Sequence, residues 1–329
     1  MSIITPQNKN RSPLRPEVEQ SEKSIDLRDS KGLIVLNPVA GKGNPEEILE
    51  TVRGVIGQGN FEVYRTTGKE SIREVVQVAL QQDELKWVAA IGGDGTVSQV
   101  ADGVAETDTF LAIIPAGTGN ALAQELGIPQ DFEEACRLLV EPARYRPNDA
   151  VLVGEQYFLL QMGIGLESAT MQETSSAQKN KWGPLAYLWT AVKEALGWQP
   201  YQFTLSIDGK KQKVKASELV VANASHIGIM GLKWQDEIAP DDGRIDIAVV
   251  RARSLLDYAH VIIALAQGEQ DRSEHIRFFS AEKEIQLDAE EHLPIHGDGE
   301  MLDAKLPLEA KVVSHSIRIV VPASDEQWN

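Results

Sequence analysis

Three short stretches hold residues suited to binding phosphate: Asn37-Pro38-Val39-Ala40-Gly41-Lys42-Gly43, Gly92-Gly93-Asp94-Gly95-Thr96 and Pro115-Ala116-Gly117-Thr118-Gly119-Asn120. Glycines let the backbone approach a phosphate, and the amides that open a helix attract an anion. Threonine hydroxyls add hydrogen bonds. Asp94 has the wrong sign for direct phosphate contact and would act through a magnesium ion. Two acidic turns lie far downstream, Ala239-Pro240-Asp241-Asp242-Gly243-Arg244 and Asp298-Gly299-Glu300. Glu300 follows a glycine, so its carboxylate could face a cleft and take a proton from an attacking alcohol. Each stretch alone also reads as a tight turn. None is a Walker A loop, because Gly41-Lys42 lacks the upstream glycine and the following Ser or Thr, and there is no G-x-G-x-x-G.

The elements that must position these residues are legible as hydrophobic patterning. In the first half, strands at Leu33–Leu36, Phe61–Thr66, Trp87–Ile91 and Leu111–Ile114 alternate with helical segments near Pro45–Ile56, Ser71–Gln81, Val97–Ala105, Asn120–Leu126 and Glu133–Val140. Such alternation predicts βαβ units and an α/β domain with a parallel sheet, whose ligands sit at the carboxyl ends of the strands. The three glycine-rich stretches fall at those ends. From Asn148 the pattern changes to strands at Ala150–Val153, Tyr157–Met162, Gln202–Ile207, Val214–Asn223, Ile245–Val250, Ile276–Ser280 and Ile285–Asp288, with a hairpin signal at Asp208-Gly209. This half is expected to be a mostly antiparallel β-sandwich with a few helices. The last strand, His315–Val321, fits either half. The expected organisation is a disordered tail over 1–30, an α/β domain over 31–147 with 310–329 available to complete it, and a β-sandwich domain over 148–309.

Composition excludes several classes. A chain of 329 residues exceeds one ordinary core and implies two domains. The net charge of −17 argues against a nucleic-acid partner, which would call for a basic footprint. The single cysteine, Cys136, rules out a disulfide framework within the chain and fits a reducing cytoplasm. Cys136 lies on an apolar helical stripe and reads as core. No apolar run approaches the roughly 20 residues of a membrane span, and residues 1–30 lack a signal-peptide core.

The GGDGT turn, the G-T-G-N loop and the N-P-x-x-G-K-G loop, in that spacing, together resemble the diacylglycerol kinase catalytic domain family, which includes bacterial diacylglycerol kinases, YegS-like lipid kinases and sphingosine kinases. The resemblance runs from about Leu33 to Val321. It implies an ATP- and Mg2+-dependent kinase that phosphorylates a lipid hydroxyl, on a diacylglycerol-like or sphingoid-like acceptor. By the same resemblance, Asn37, Pro38, Val39, Ala40 and Gly41 form the first ATP loop, with Thr66 and Thr118 as further nucleotide contacts. Gly92, Gly93, Gly95 and Thr96 form the phosphate turn, and Asp94 serves the catalytic magnesium. Asp242 supplies a carboxylate, and Ala239 and Arg244 main-chain carbonyls, to a second, structural magnesium. Glu300 is the general base. The stretch after the second strand, Thr66-Thr67-Gly68-Lys69-Glu70-Ser71, departs from the family's usual Gly-Asp-Ala. GGDGT alone is shared with NAD kinases; the G-T-G-N loop and the D-G-E turn argue against that reading. A non-catalytic lipid-binding protein on the same fold would have no need of Asp94, Asp242 and Glu300 together.

A lipid acceptor implies work at a membrane surface, hence peripheral association. The stretch from Trp182 to Trp198, with Leu185, Leu188, Trp189, Val192 and Leu196 at helical spacing, reads either as a membrane-docking lid or as a helix packed on the sandwich. Lys210, Lys211, Lys213 and Lys215 read as a solvated hairpin. His292 and His296 are separated by Pro294, which argues against a helical metal site.

Overall fold

The computed structural model describes residues 23–41, 44–57, 59–165, 200–227, 232–290 and 292–323. The stretch Trp182–Trp198, Lys42 and Gly43 lie outside the described residues. The first half is built on four parallel strands, β2 (Gly32–Leu36), β3 (Phe61–Arg65), β4 (Trp87–Gly92) and β5 (Phe110–Pro115), in the order β5-β4-β2-β3. β2, β4 and β5 are buried along their whole length. Unbroken apolar runs of this kind are what a sheet covered on both faces requires. Its crossovers are α1 (Pro45–Ile56), α2 (Ile72–Gln82) and α3 (Asp94–Val104), followed by the short α4 (Ala121–Glu125) and α5 (Phe132–Arg137). Asn44 caps α1, Ser71 caps α2 and Asp131 caps α5 with side-chain oxygens, whereas α3 begins at Gly93 with no side-chain cap.

Two long strands carry the sheet beyond the α/β half. β6 (Ala143–Val153) and β17 (Leu308–Val321) run antiparallel to one another. The end of β17 pairs in parallel with β5, and its start pairs with β14 (Glu284–Ala289). Beyond β14 come β9 (Tyr201–Ile207) and β10 (Lys210–Ala216), joined by the Asp208-Gly209 hairpin. The last strand therefore serves both halves. A second, wholly antiparallel sheet has the order β13 (Ile276–Ala281), β12 (Ile245–Val250), β11 (Glu218–Ala222), β8 (Gln161–Gly165), β15 (Ile295–Gly297) and β16 (Glu300–Leu302). Met162, Ile164, Leu219 and Ile247 of this sheet pack against Phe203, Leu205, Ile285 and Leu287 of the first, forming the sandwich core. Helix α6 (Leu255–Gln267) covers the outer face of the second sheet.

The structure corrects the sequence reading at four places. Residues Lys23–Ile25, within the expected tail, form β1 and pair with Ala143–Tyr145 of β6, while Leu27 behind them is buried. The run Val214–Asn223 is two strands in different sheets, broken at the buried Ser217. The run Tyr157–Met162 is likewise split, into β7 (Gln156–Phe158) and β8. Both runs are continuously apolar or alternate without punctuation, so hydropathy alone does not reveal the change of sheet. Finally, the helix expected from Val97 starts at Asp94, so the GGDGT residues are its first turn. Cys136 is buried in the first core, which pushes its thiol up to about 12 and makes it an inert packing residue.

β17 bulges between Val313 and Ile317, with His315 in the left-handed region at φ 53°. The buried Asp149 of β6 holds that bulge, accepting the His315 N–H at 2.8 Å and the Gly243 N–H at 2.6 Å, while its own N–H reaches Pro240 O at 2.6 Å. Asp149→Ala removes the acceptor of two part-buried N–H groups, of His315 and Gly243, and is expected to lower unfolding free energy by about 1–3 kcal/mol. Urea denaturation measures this; a loss below about 0.5 kcal/mol contradicts the role of Asp149 as the tie.

Candidate active site

The three glycine-rich loops leave the carboxyl ends of β2, β4 and β5, which are neighbours in the sheet, and they interlock. Asn37 Nδ2 donates to Thr96 Oγ1 at 3.0 Å, tying the first loop to the first turn of α3. Asn37 Oδ1 also accepts the Val39 N–H at 3.2 Å, which curls the first loop. A Cβ on Gly41, which sits at φ 75°, would come within 3.1 Å of Ala116 O, so the first loop touches the third. The second and third loops meet glycine to glycine: a Cβ on Gly117 would lie 2.6 Å from Gly93 Cα. Asn120, left-handed at φ 49°, closes the third loop through Gly117 N–H to Oδ1 at 3.0 Å and its own Nδ2 to Gly117 O at 3.1 Å.

This arrangement sorts the expected ATP residues. Val39 and Thr118 are exposed, Pro38 and Ala40 partly so, and Gly93, Asp94 and Gly95 stand half-buried at the helix start. Gly92 and Thr96 are internal: both are buried, and a Cβ on Gly92 would meet the Thr96 side chain at 2.6 Å. Thr66 is buried just beyond β3, with its N–H bound to Leu36 O at 2.9 Å. The first-turn amides of α3 have no side-chain cap, which leaves them able to receive an anion.

The D-G-E turn is brought to the same helix. Gly95, where a Cβ would lie 3.3 Å from Glu300 Oε1, and Gln99, whose Nε2 donates to that oxygen at 2.8 Å, both face Glu300. Glu300 itself is exposed at the rim of a narrow cavity of about 40 Å³, lined also by Ser98, Asp102, Tyr157 and Phe158. The turn is anchored by Asp298, which is buried and left-handed at φ 47°. Its carboxylate accepts Ser98 Oγ at 2.5 Å and the consecutive N–H groups of Leu159, Leu160 and Gln161 at 3.0, 3.0 and 2.9 Å. Asp298, Ser98 and Gln99 are roles that motif reading missed. Helical spacing contains the signal, since Asp94, Ser98 and Asp102 follow one another at intervals of four.

Electrostatics favour a cation here. Burial pushes the Asp94 carboxyl above its usual range; the α4 amides of Leu122, Ala121 and Asn120 oppose this, and the charge of Asp298 adds to it. Asp298 is likewise raised by burial, against the pull of Ser98 and the three N–H groups. A divalent cation within reach of Asp94 would favour its anion. Ala239, Asp242 and Arg244 belong to a separate cluster. Asp242 Oδ1 accepts the Arg244 N–H at 3.0 Å, and Gly243 between them is held by Asp149. Burial first, then the nearby Asp246 and Asp149 carboxylates, push Asp242 up to about 7. Carboxylates gathered in this way suit a dication. Among the described residues no three metal-type side chains converge, so main-chain carbonyls would have to complete either site.

Comparison with known proteins agrees with this geometry. Residues 31–150 match the model of the diacylglycerol kinase catalytic domain, and residues 161–321 match the YegS C-terminal NAD kinase beta sandwich-like domain. A diacylglycerol kinase of Bacillus subtilis is 26% identical over 88% of this chain and 95% of its own length. An uncharacterized protein of Synechocystis is 26% identical over 95% of this chain and 76% of its own. In fold, the chain superposes on a diacylglycerol kinase crystal structure from Bacillus anthracis with a TM-score of 0.72, at 24% identity, covering 90% of this chain and 98% of the other.

The contact between Gly93 and Gly117 is backbone on backbone, so neither loop can yield cheaply to a methyl group. Gly117→Ala is expected to splay the two loops, at a cost of about 1–3 kcal/mol. Fluorescence titration with ATP should show affinity reduced about tenfold; an unchanged affinity would mean that this contact does not shape the nucleotide site.

Proposed function

The chain belongs to the lipid kinase family built on the diacylglycerol kinase catalytic domain, and from that premise we propose that it transfers the γ-phosphate of ATP to the hydroxyl of a long-chain lipid, with Glu300 as general base. The observation that carries this reading is the placement of Glu300 against Gly95, in the uncapped first turn of α3, and against Gln99 one turn further along. One face of one helix thereby presents amides for an anion, and Asp94 for a cation, beside a carboxylate able to accept a proton.

Phosphoryl transfer demands positioning and charge neutralisation more than covalent help. The Asn37–Gly41 loop, the α3 amides and the exposed Thr118 would hold the triphosphate. The acceptor hydroxyl attacks the γ-phosphorus in line as its proton passes to Glu300 and the bond to the bridging oxygen of ADP breaks. Gln99 orients Glu300 and leaves the second carboxylate oxygen for the hydroxyl. Magnesium, held by Asp94, would neutralise charge on the phosphate oxygens. Asp242, with carbonyls of Ala239 and Arg244, suits a second ion of structural purpose, set against the Asp149 tie. The sandwich half would bury the acyl or sphingoid chains, in keeping with the domain division expected above. Cytoplasmic location with peripheral membrane association follows as part of this proposal. Among the described residues no helix is long and apolar enough to cross a membrane.

Glu300→Gln keeps the shape and the Gln99 neighbour but removes the base. It is expected to lower kcat by about 10²- to 10⁴-fold with ATP affinity unchanged. A labelled-ATP assay against diacylglycerol, a sphingoid base and NAD measures both kcat and acceptor class. Retained lipid turnover would overturn the assignment of Glu300, and transfer to NAD in place of lipid would overturn the function. Magnesium should raise the melting temperature in a concentration-dependent manner. Asp242→Asn should abolish most of that rise; an undiminished rise would remove Asp242 from the ion site.

A further inference from the structure

Two carboxylates hold one short stretch of backbone. Asp298 accepts the N–H groups of Leu159, Leu160 and Gln161. Two residues before them, the Tyr157 N–H goes to Asp102 Oδ1 at 2.9 Å. Asp102 is buried on α3, one turn beyond Ser98 and two beyond Asp94. β7, which carries Tyr157, has three residues and pairs with β6 alone. A strand so short and one-sided has little of its own to fix its height against the helix. Asp102 supplies that fix. The Tyr157 hydroxyl adds a second by donating to the carboxylate of Glu106, just past the end of α3.

Asp102 is itself held. Its Oδ2 lies 3.6 Å from Nε of Arg73 on α2. The two helices meet closely there: a Cβ on Gly103 would lie 2.7 Å from Val76 Cβ and 3.2 Å from Arg73 O. Burial pushes the Asp102 carboxyl above its usual range; the Tyr157 N–H and the Arg73 charge pull it back, and the Asp298 charge raises it further. Asp102 and Asp298 line one narrow cavity of about 40 Å³, with Glu300 at its rim. A neutral residue would fill that space with less desolvation and no repulsion from Asp298. What the carboxylate provides is a strong acceptor for a single backbone N–H, oriented by a guanidinium.

We propose that Asp102, oriented by Arg73, is a positioning residue for Glu300. It sets the height of the 157–161 segment on α3, and through that segment the Asp298 turn and the carboxylate two residues on. The contacts are continuous from Arg73 to Asp102, Tyr157, Leu159–Gln161, Asp298 and Glu300. None of these residues belongs to the Asn37–Gly41 or Pro115–Asn120 loops, so a disturbance at Asp102 reaches Glu300 without passing through them. Its effect therefore falls on transfer to the acceptor and spares the affinity for ATP. The catalytic consequence rests on the reading of Glu300 as the base, whereas the hold on the 157–161 segment is measured without turnover.

The test is a double-mutant cycle on the full chain. Asp102→Ala should lower kcat for lipid phosphorylation about 10- to 100-fold. ATP affinity, read by fluorescence titration, should stay within about twofold. In a Glu300→Gln background the same substitution should cost less than about twofold, since a residue acting through Glu300 has nothing left to position. Equal losses in both backgrounds, or ATP affinity falling in step with kcat, overturn the inference. Arg73→Gln is the milder change, with an expected loss of about threefold that vanishes in the same background. It takes the place of Asp102→Ala in every measurement if a thermal melt shows that variant unfolded. Hydrogen exchange gives a second readout: the amides of Leu159, Leu160 and Gln161 should exchange about tenfold faster in the variant, and those of Ala89 and Ala90 in β4 at the wild-type rate. Unchanged exchange at 159–161 overturns the inference as well. If the wild type phosphorylates no lipid, the proposed function fails, and exchange at 159–161 still decides whether Asp102 sets this segment.

Discussion

The buried carboxylate of Asp298 is the point on which the site depends. Burying an ionisable group is costly unless its lone pairs are satisfied. Here Ser98 and three consecutive backbone N–H groups supply four donors. The donors come from α3 of the first half and from the 159–161 segment of the second, so a single carboxylate draws together two regions far apart in sequence. The geometry then propagates. Asp298 and Gly299 are both left-handed, at φ 47° and 86°, and this tight reversal turns Glu300 outward toward α3. Ser98 is one helical turn beyond Asp94, so the anchored turn lands beside Gly93-Asp94-Gly95. The exposed Glu300 owes its position to the buried Asp298 two residues earlier.

Two further ties keep the halves in register. β6 and β17 are continuous through both halves, which makes the join a paired sheet in place of a flexible linker. Asp149 secures the bulge where β17 bends. On the opposite edge, Glu125 at the end of α4 accepts from Ser225 N–H at 3.0 Å, Ser225 Oγ at 2.7 Å and His226 N–H at 3.0 Å. α4 follows directly on the G-T-G-N loop, so that loop is fastened to the second half as well. Reaction geometry of the kind phosphoryl transfer needs is sensitive to displacements of about 1 Å. Backbone pairing and buried carboxylates resist such displacements better than surface contacts do.

Local patterns carried much of this architecture. The fully buried β2, β4 and β5 are written as Gly32-Leu33-Ile34-Val35-Leu36, Trp87-Val88-Ala89-Ala90-Ile91-Gly92 and Phe110-Leu111-Ala112-Ile113-Ile114-Pro115, apolar runs that admit little else between helical segments. The Asp208-Gly209 hairpin and the predominance of antiparallel strands after Asn148 were equally legible. Where the chain moves from one sheet to the other, as at Ser217, nothing local marks the event, because both sides are strand-like and both are buried. β1 was hidden for a different reason. Lys23-Ser24-Ile25 has little propensity of its own and gains its structure from the free edge of β6.

For the site, the residue types and their order by themselves determined that glycine-rich loops end three of the parallel strands and that acidic turns follow far downstream. These are properties of short segments: glycine where backbone must come close, carboxylate where a cation or proton must be held. Only the tertiary structure decided which of those residues meet. It turned Thr96 inward to Asn37 and pressed Gly93 against Gly117. It buried Asp298 while leaving Glu300 at the rim, a difference that two acidic residues flanking one glycine do not disclose. It also gave Ser98 and Gln99 their partners. The reason is physical: these contacts join residues up to about two hundred positions apart, and they exist only once both sheets are packed and the strands they share have set the distance.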